Sequence, residues 1–181
     1  MWISIVLIVI LVLGVATVLI YNALTRWKIG VGEAFAQLDV QLKRRYDLVP
    51  NLVETVKGYM KHERELLEKI AELRAKAMNT SDMKTRGTLE GEISEGIKKI
   101  LLLVENYPDL KASENFMILQ EELVSTENRI AYARQYYNDA VKNFNTLCQI
   151  FPVNLVAHIF GFKPAEFLEF AEERGAVSIS F

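Results

Sequence analysis

The sequence predicts an all-α protein, with an N-terminal transmembrane helix followed by an up-and-down antiparallel helical bundle of three long helices and a shorter fourth. Three observations predict this fold. Residues 1–25 carry no charged side chain. Apolar residues then recur at alternating steps of three and four, which is the period of an amphipathic helix. The segments between these patterns are short turns, and short turns join neighbouring antiparallel helices.

The transmembrane anchor is predicted over residues 1–25, with the lipid bilayer as partner of residues 2–25. A helix needs about 20 apolar residues to cross the hydrocarbon core. Trp2, Tyr21 and Trp27 flank the run, as interfacial aromatic residues do. The segment lacks the basic start, the short apolar core and the small-residue cleavage site of a secretory signal. We therefore expect an uncleaved, single-pass anchor in the cell (inner) membrane.

The basic residues near the anchor predict its orientation. The amino side has no Lys or Arg, whereas the carboxyl side carries Arg26, Lys28 and then Lys43, Arg44 and Arg45. Because cytoplasmic flanks carry an excess of Lys and Arg, we expect a short N-terminus outside and the C-terminal domain in the cytoplasm. The run of three basic residues fits either a contact with anionic headgroups or a solvated helix face.

The composition of the remaining 156 residues (181 minus 25) is that of one soluble domain. They contain all 44 charged residues of the chain, 21 basic and 23 acidic. We assign residues 26–160 to the bundle domain and residues 161–181 to a short amphipathic helix and C-terminal tail. The net charge of −2 argues against nucleic-acid binding. A single cysteine excludes an intramolecular disulfide framework.

The first bundle helix is predicted from Arg26 to Ala77, where apolar residues follow the heptad spacing of a coiled coil or bundle. Pro50 interrupts this pattern. A proline kinks a helix interior but is tolerated in a first turn, and Asp47 would suit the N-cap of a new helix. The sequence leaves both alternatives open. The second helix is predicted from Asp82 to Glu105, weakened by three internal glycines.

The third helix, predicted from Leu110 to Ile150, has the clearest periodicity in the chain. Five large apolar residues are spaced by seven, namely Phe116, Leu123, Ile130, Tyr137 and Phe144. A short helix is then expected from Asn154 to Phe160 and should end at Gly161, because glycine favours helix C-termini. A last amphipathic helix is expected from Pro164 to Glu173.

Polar side chains occupy five positions where a bundle expects apolar ones: Arg45, Glu63, Gln120, Glu127 and Arg134. A buried charge must be paired, since an unpaired one costs several kcal/mol. Three interpretations remain open, namely an ion network that fixes helix register, a ligand pocket between helices, and a metal or catalytic centre. The ion network is favoured because two arginines match two glutamates.

No catalytic residue, cofactor-binding residue or metal ligand is predicted. His62 and Glu63 begin a zinc-protease motif, but Leu66 stands where the second histidine is needed. Neither His62 nor His158 has the glutamate three residues earlier that a di-iron bundle requires. We therefore expect a protein that is not an enzyme, with no cofactor, no nucleic-acid partner and no small-molecule ligand outside the pocket alternative.

Several long motifs run through the chain. They are the run from Gln41 to Tyr59 with His62 and Glu63 after it, the block from Thr126 to Ala131 followed by Arg134 and Tyr137-Asn138, Phe151-Pro152, and Tyr21-Asn22. In these motifs the chain resembles the LemA family. A second Tyr-Asn that is usual in the family is Phe144-Asn145 here, which argues against a tyrosine hydroxyl acting at that position.

The resemblance implies a bacterial single-pass membrane protein with a helical bundle and no established enzymatic activity. Some relatives are associated with magnetosome membranes, which suggests a part in membrane organisation. We expect a membrane-anchored scaffold or interaction protein that binds a protein partner or itself. The alternatives are a membrane-tethered sensor that binds a ligand at the Arg/Glu seam and, less favoured, an uncharacterised enzyme.

The motifs and the polar seam together supply a set of candidate structural or interaction residues. They are Arg44, Arg45, Asp47, Asn51, Glu63, Glu127, Asn128, Arg134, Tyr137 and Asn138.

Overall fold

The computed structural model describes residues 2–170 of the 181-residue chain, and this part is all-α, as predicted. Its helices are α1 (Trp2–Lys57), α2 (Arg64–Asn79), α3 (Met83–Val104), α4 (Pro108–Lys111), α5 (Glu114–Gln149) and α6 (Val153–Ile159). A 3₁₀ turn, Lys61–Glu63, precedes α2. No strand occurs between residues 2 and 170.

Helix α1 continues through Pro50, so no new helix begins there and Asp47 is not an N-cap. The chain leaves the helix after Lys57 instead, at Gly58, because glycine is a poor helix former. The backbone N–H groups of Tyr59 and Met60 both donate to the carbonyl of Val56, at 3.0 and 2.9 Å. The helical stretch predicted from Arg26 to Ala77 therefore divides into two helices, and the division lies at Gly58 rather than at Pro50.

The contacts within the chain divide it into two units. Of the described residues, unit 1 contains 2–36 and 135–166, and unit 2 contains 37–134 and 167–170. In unit 1, α1, α5 and α6 share one apolar core of Leu24, Phe144, Cys148, Val156 and Ala157. Among residues 2–170, α1 is the one helix with the length and apolar composition to cross a membrane, and its most apolar stretch is not buried.

Unit 2 packs α3 closely against its neighbours through glycines. A Cβ atom on Gly96 would lie 2.7 Å from Cγ1 of Ile70 on α2, and one on Gly87 would lie 2.2 Å from the carbonyl oxygen of Glu169. Cβ atoms do not approach other atoms this closely, so a larger residue at either position would force its neighbour to shift. These glycines, predicted only to weaken α3, therefore allow the backbone of α3 to approach α2 and the segment around Glu169.

The predicted starts and ends of the later helices agree well with the structure. Asp82 caps α3 by accepting a hydrogen bond from the Thr85 N–H at 2.7 Å. The five apolar residues of α5 that are spaced by seven are all buried. Helix α6 ends just before Gly161, whose φ of +70° is the left-handed conformation that glycine adopts without strain.

The helix predicted from Pro164 to Glu173 is not formed over its described part, because residues 162–170 are not helical. Polar side chains of α5 bond this segment's backbone instead. Asn145 donates to the carbonyl of Ala165 at 2.9 Å and accepts from its N–H at 2.8 Å. The Tyr137 hydroxyl donates to the carbonyl of Glu166 at 2.8 Å. The rest of the predicted helix and the tail lie outside the described residues.

Candidate functional site

Arg45 is the largest charged side chain in the core of unit 2, and it is fully buried. It lies on α1 three residues after Leu42 and four before Val49, both of which are also buried. Residues at this spacing share one helix face. The apolar face that folds α1 into the core therefore carries the guanidinium inward with it.

The guanidinium of Arg45 connects α1 to α3 and α5. Its Nη1 donates to Oε1 of Glu127 at 2.9 Å and to Oγ of Ser94 at 2.7 Å, and Ser94 in turn donates to Oε2 of Glu127 at 2.7 Å. Its Nη2 donates to the carboxylate of Glu90. We call Arg45, Tyr46, Glu90, Ser94 and Glu127 the Arg45 network.

Tyr46 completes the network from the next position on α1. Its hydroxyl donates to Oε1 of Glu90, while Arg45 contacts Oε2 of the same fully buried carboxylate. Burial and the negative charge of Glu90 both raise the pKa of Tyr46 above its ordinary value, so the hydroxyl remains a donor. Burial alone would lower the pKa of Arg45, but the charges of Glu127 and Glu90 outweigh it and raise that pKa.

A second layer of charges surrounds Glu90. The Nε of Arg86 lies 3.8 Å from Oε1 of Glu90, and its Nη2 donates to Oδ1 of Asp39 at 2.6 Å. Lys43 pairs with Oδ2 of Asp39 at 2.9 Å. Burial would raise the pKa of Asp39, but its hydrogen bonds with Lys43 and Arg86 lower it. Three cations thus meet three anions: Lys43, Arg45 and Arg86 against Asp39, Glu90 and Glu127.

In the Arg45 network, hydrogen bonds hold one guanidinium and two carboxylates in fixed positions. Each carboxylate accepts hydrogen bonds from Arg45 and from a hydroxyl group, so the buried guanidinium has two negative partners. Within residues 2–170, no group of three or more His, Cys, Asp and Glu side chains is placed to hold a metal ion.

Glu90 belongs to the network but is not among the residues predicted from the sequence. Counting back by seven from Val104 gives Ile97 and then Glu90, and all three are buried. The heptad spacing of α3 therefore contained the signal that a carboxylate lies on an apolar seam. The three glycines of α3 obscured this periodicity.

Two further seam charges have partners that the sequence did not predict. Glu63 accepts a hydrogen bond from the Tyr107 hydroxyl, which lies 2.9 Å from each carboxylate oxygen. This hydrogen bond raises the pKa of Tyr107. The guanidinium of Arg134 lies over the ring of Phe170, 4.3 Å from its centroid, in the geometry of a cation–π contact. The fifth seam residue, Gln120, is exposed.

Three candidate residues of α1 lie on its exposed face. Asp47 and Asn51 are exposed, and Arg44 is exposed with Nη2 4.0 Å from Oε1 of Glu122. On α5, Tyr137 is buried. Its ring packs edge-on against that of Phe35, with the two ring centroids 5.6 Å apart. Asn138, the next candidate, is partly buried.

Asn128, the remaining candidate, lies on an exposed face of α5 in unit 2. Together with it, Met117, Gln120, Val124 and Tyr132 are exposed and follow one another at steps of three or four, so all five share one side of the helix. We call them the α5 stripe. Four of its members, with Glu121 and Ser125, line an open depression of about 490 Å³.

Comparison with known proteins gives one family and several relatives. The LemA family model matches residues 34–181. Protein LemA of Metamycoplasma hominis is 29% identical over 137 residues, which cover 75% of this chain and 63% of that protein. Magnetosome protein MamQ 2 of Paramagnetospirillum magneticum is 31% identical over 80 residues, which cover 44% of this chain and 29% of that protein. Each alignment thus covers less than two thirds of the relative. These descriptions name no enzymatic activity.

Proposed function

The chain belongs to the LemA family, and on this premise we propose that this membrane-associated protein is an anchored, non-enzymatic scaffold whose helical bundle presents a protein-binding surface. The observation that carries the proposal is the continuity of α1. One unbroken helix, Trp2–Lys57, contains both the exposed apolar stretch and the buried Arg45. The proposed anchor and the helix that organises the Arg45 network are therefore the same element, with no loop between them.

We further propose that the anchor spans the cell (inner) membrane and that the C-terminal domain is cytoplasmic. The first charged residues after the apolar stretch are Arg26 and Lys28. Such positively charged flanks are typical of the cytoplasmic side.

The α5 stripe supports a protein partner. Met117, Val124 and Tyr132 are large apolar or aromatic side chains left exposed, and Gln120 and Asn128 add uncharged polar groups. Protein interfaces are enriched in aromatic residues and Met and depleted of Lys, Glu and Asp. The stripe has this composition.

The Arg45 network supports a structural role rather than a sensor. Buried charged groups can fix one register between helices. A ligand-binding seam would need polar groups directed into open space, whereas both Nη atoms of Arg45 contact Glu90, Ser94 or Glu127 directly.

In-cell photo-crosslinking tests the proposal. A photoreactive phenylalanine analogue at Tyr132 should yield an adduct of higher mass in intact cells. The same analogue at Leu102, an exposed apolar residue of α3 (71% exposed), is the matched control and should not. Val124→Arg should abolish the Tyr132 adduct by adding a charge to the stripe. Absence of an adduct from Tyr132, with the protein intact in the membrane fraction, would contradict a partner at this face.

A further inference from the structure

Helix α6 and its flanks carry a second cluster of exposed apolar side chains, which neither the core nor the α5 stripe uses. The exposed fractions are 79% for Phe151, 55% for Leu155, 75% for Ile159 and 51% for Phe160. Leu155 and Ile159 are four residues apart, so they share one face of α6. We call these four residues the α6 face. An exposed apolar patch of this kind marks a surface that binds another protein or a membrane.

The α6 face lies beside the end of the proposed anchor. Within unit 1, the ring of Tyr21 lies 5.0 Å from that of Phe160 and 5.6 Å from that of Phe162. Leu24 belongs to the same core cluster as Val156 of α6 and is fully buried. Residues 21–24 of α1 therefore contact α6 and the segment that follows it, rather than lipid alone.

The length of α1 sets the membrane depth of this contact. The 18 residues from Trp2 to Leu19 rise about 27 Å as a helix, which nearly matches the hydrocarbon core of about 30 Å. Tyr21 then falls in the headgroup layer, where tyrosine is enriched. Because Phe160 contacts Tyr21, the Phe160 end of the α6 face falls at the same depth.

The charges around the α6 face favour an anionic lipid surface. No Asp or Glu occurs in residues 1–32 or in residues 143–165. The ammonium group of Lys28 lies 5.8 Å from the ring centroid of Phe162, and Lys163 is exposed nearby in the sequence. Basic residues next to an apolar surface attract anionic headgroups.

We propose that the α6 face is a second membrane contact, inserted in the headgroup layer of the bilayer that α1 crosses. The proposal rests on α1 being the anchor. Its occupant is lipid, because the face is continuous with the anchor through Tyr21, Phe160 and Phe162 and carries no acidic group. The bundle is then held to the membrane at two points, the helix α1 and the face of α6.

Depth-dependent fluorescence quenching tests this contact in the full chain. In a Cys148→Ala background, single cysteines at Leu155 (α6 face), Leu11 (anchor) and Leu102 (control) would each carry a polarity-sensitive fluorophore. The protein is reconstituted in vesicles of phosphatidylcholine and phosphatidylglycerol with spin-labelled lipids. We expect shallow spin labels to quench the probe at position 155, deep labels to quench the probe at position 11, and neither to quench the probe at position 102.

The possible outcomes separate the two proposals. Quenching at position 11 without quenching at position 155 would overturn the α6 contact and leave the anchor standing. No quenching at position 11 would overturn the anchor and the α6 contact with it. A blue-shifted but unquenched probe at position 155 would mean that protein covers the α6 face, which also overturns the lipid contact.

A variant of the α6 face gives a second readout. Phe151→Ser with Ile159→Ser should remove most of the shallow quenching at position 155, because the insertion depends on these exposed side chains. The thermal unfolding midpoint should not change, since neither residue belongs to the core. Unchanged quenching in this variant would contradict the proposal.

Discussion

Replacing Arg45 by methionine tests the Arg45 network most sharply. Methionine keeps a long side chain but removes the charge. Both carboxylates would remain, and Glu90 is fully buried whereas the Glu127 side chain is 22% exposed. Water can solvate Glu127 in part. Glu90 would keep the Tyr46 hydroxyl and the more distant Arg86. The cost should therefore arise mainly from Glu90.

We expect Arg45→Met to lower the free energy of unfolding by about 3–5 kcal/mol, as for a buried ion pair that loses one partner. For a protein of this size the melting temperature should fall by on the order of 10 °C. The assay is thermal and urea unfolding of the full chain in detergent micelles, followed by circular dichroism. Arg44→Met is the matched control, because Arg44 is exposed and its partner Glu122 is 4.0 Å away; it should change stability by less than about 1 kcal/mol.

A double-mutant cycle then isolates the Arg45–Glu90 pair. In a Glu90→Gln background, Arg45→Met should cost about 1–3 kcal/mol less than in the wild type, because the buried carboxylate is gone. Equal costs for Arg45→Met and Arg44→Met would refute the reasoning. So would a cycle in which the two substitutions are additive.

Three further predictions concern single groups. Tyr46→Phe should cost about 1–3 kcal/mol at pH 7, since buried Glu90 loses a hydrogen-bond donor. Burial and Glu90 raise the pKa of Tyr46 above 10.0. The stabilisation by the hydroxyl is therefore complete below about pH 10 and is lost as the pH rises through the raised pKa. Urea midpoints from pH 7 to 11 should thus fall more steeply for the wild type than for the variant. Gly96→Ala should cost about 1–3 kcal/mol through the clash of its new Cβ atom with Ile70. A Cβ atom at Gly30 would meet nothing within 4 Å outside its own helix backbone, so Gly30→Ala should stabilise the protein by up to about 1 kcal/mol. Similar melting temperatures for these two variants would contradict the packing of α3. Asn145→Ala should cost about 1–3 kcal/mol by leaving the Ala165 backbone groups unbonded, and hydrogen exchange at the Ala165 amide should accelerate; an unchanged exchange rate would mean that this bond is not formed.

The sequence predicted the fold class and most helices because periodicity reports burial directly. Phe116 and Phe144, spaced by multiples of seven on α5, are both buried. Phe144, where the family usually has tyrosine, lies in the apolar core with Leu24. A phenyl ring suits this site because it has no hydroxyl to satisfy.

The sequence could not predict features that depend on tertiary contacts. Propensity alone makes Pro50 a kink or a helix start and makes Gly96 a weak point in α3. In the structure α1 continues through Pro50, and Gly96 allows the close approach of Ile70. The seam pattern identified Arg45 and Glu127, which do pair. It did not identify the partners of Glu63 and Arg134, because Tyr107 and Phe170 reach them from other segments.

The measurement that tests the central claim most directly is cysteine accessibility in intact cells. The central claim is that α1 anchors the chain and that the bundle faces the cytoplasm. Cys148 is buried, which raises its pKa, and it is replaced by alanine so that a single cysteine at exposed Leu102 can be labelled with a membrane-impermeant maleimide. We expect membrane-bound protein that is labelled only after lysis. Labelling in intact cells, or protein found in the soluble fraction, would contradict it.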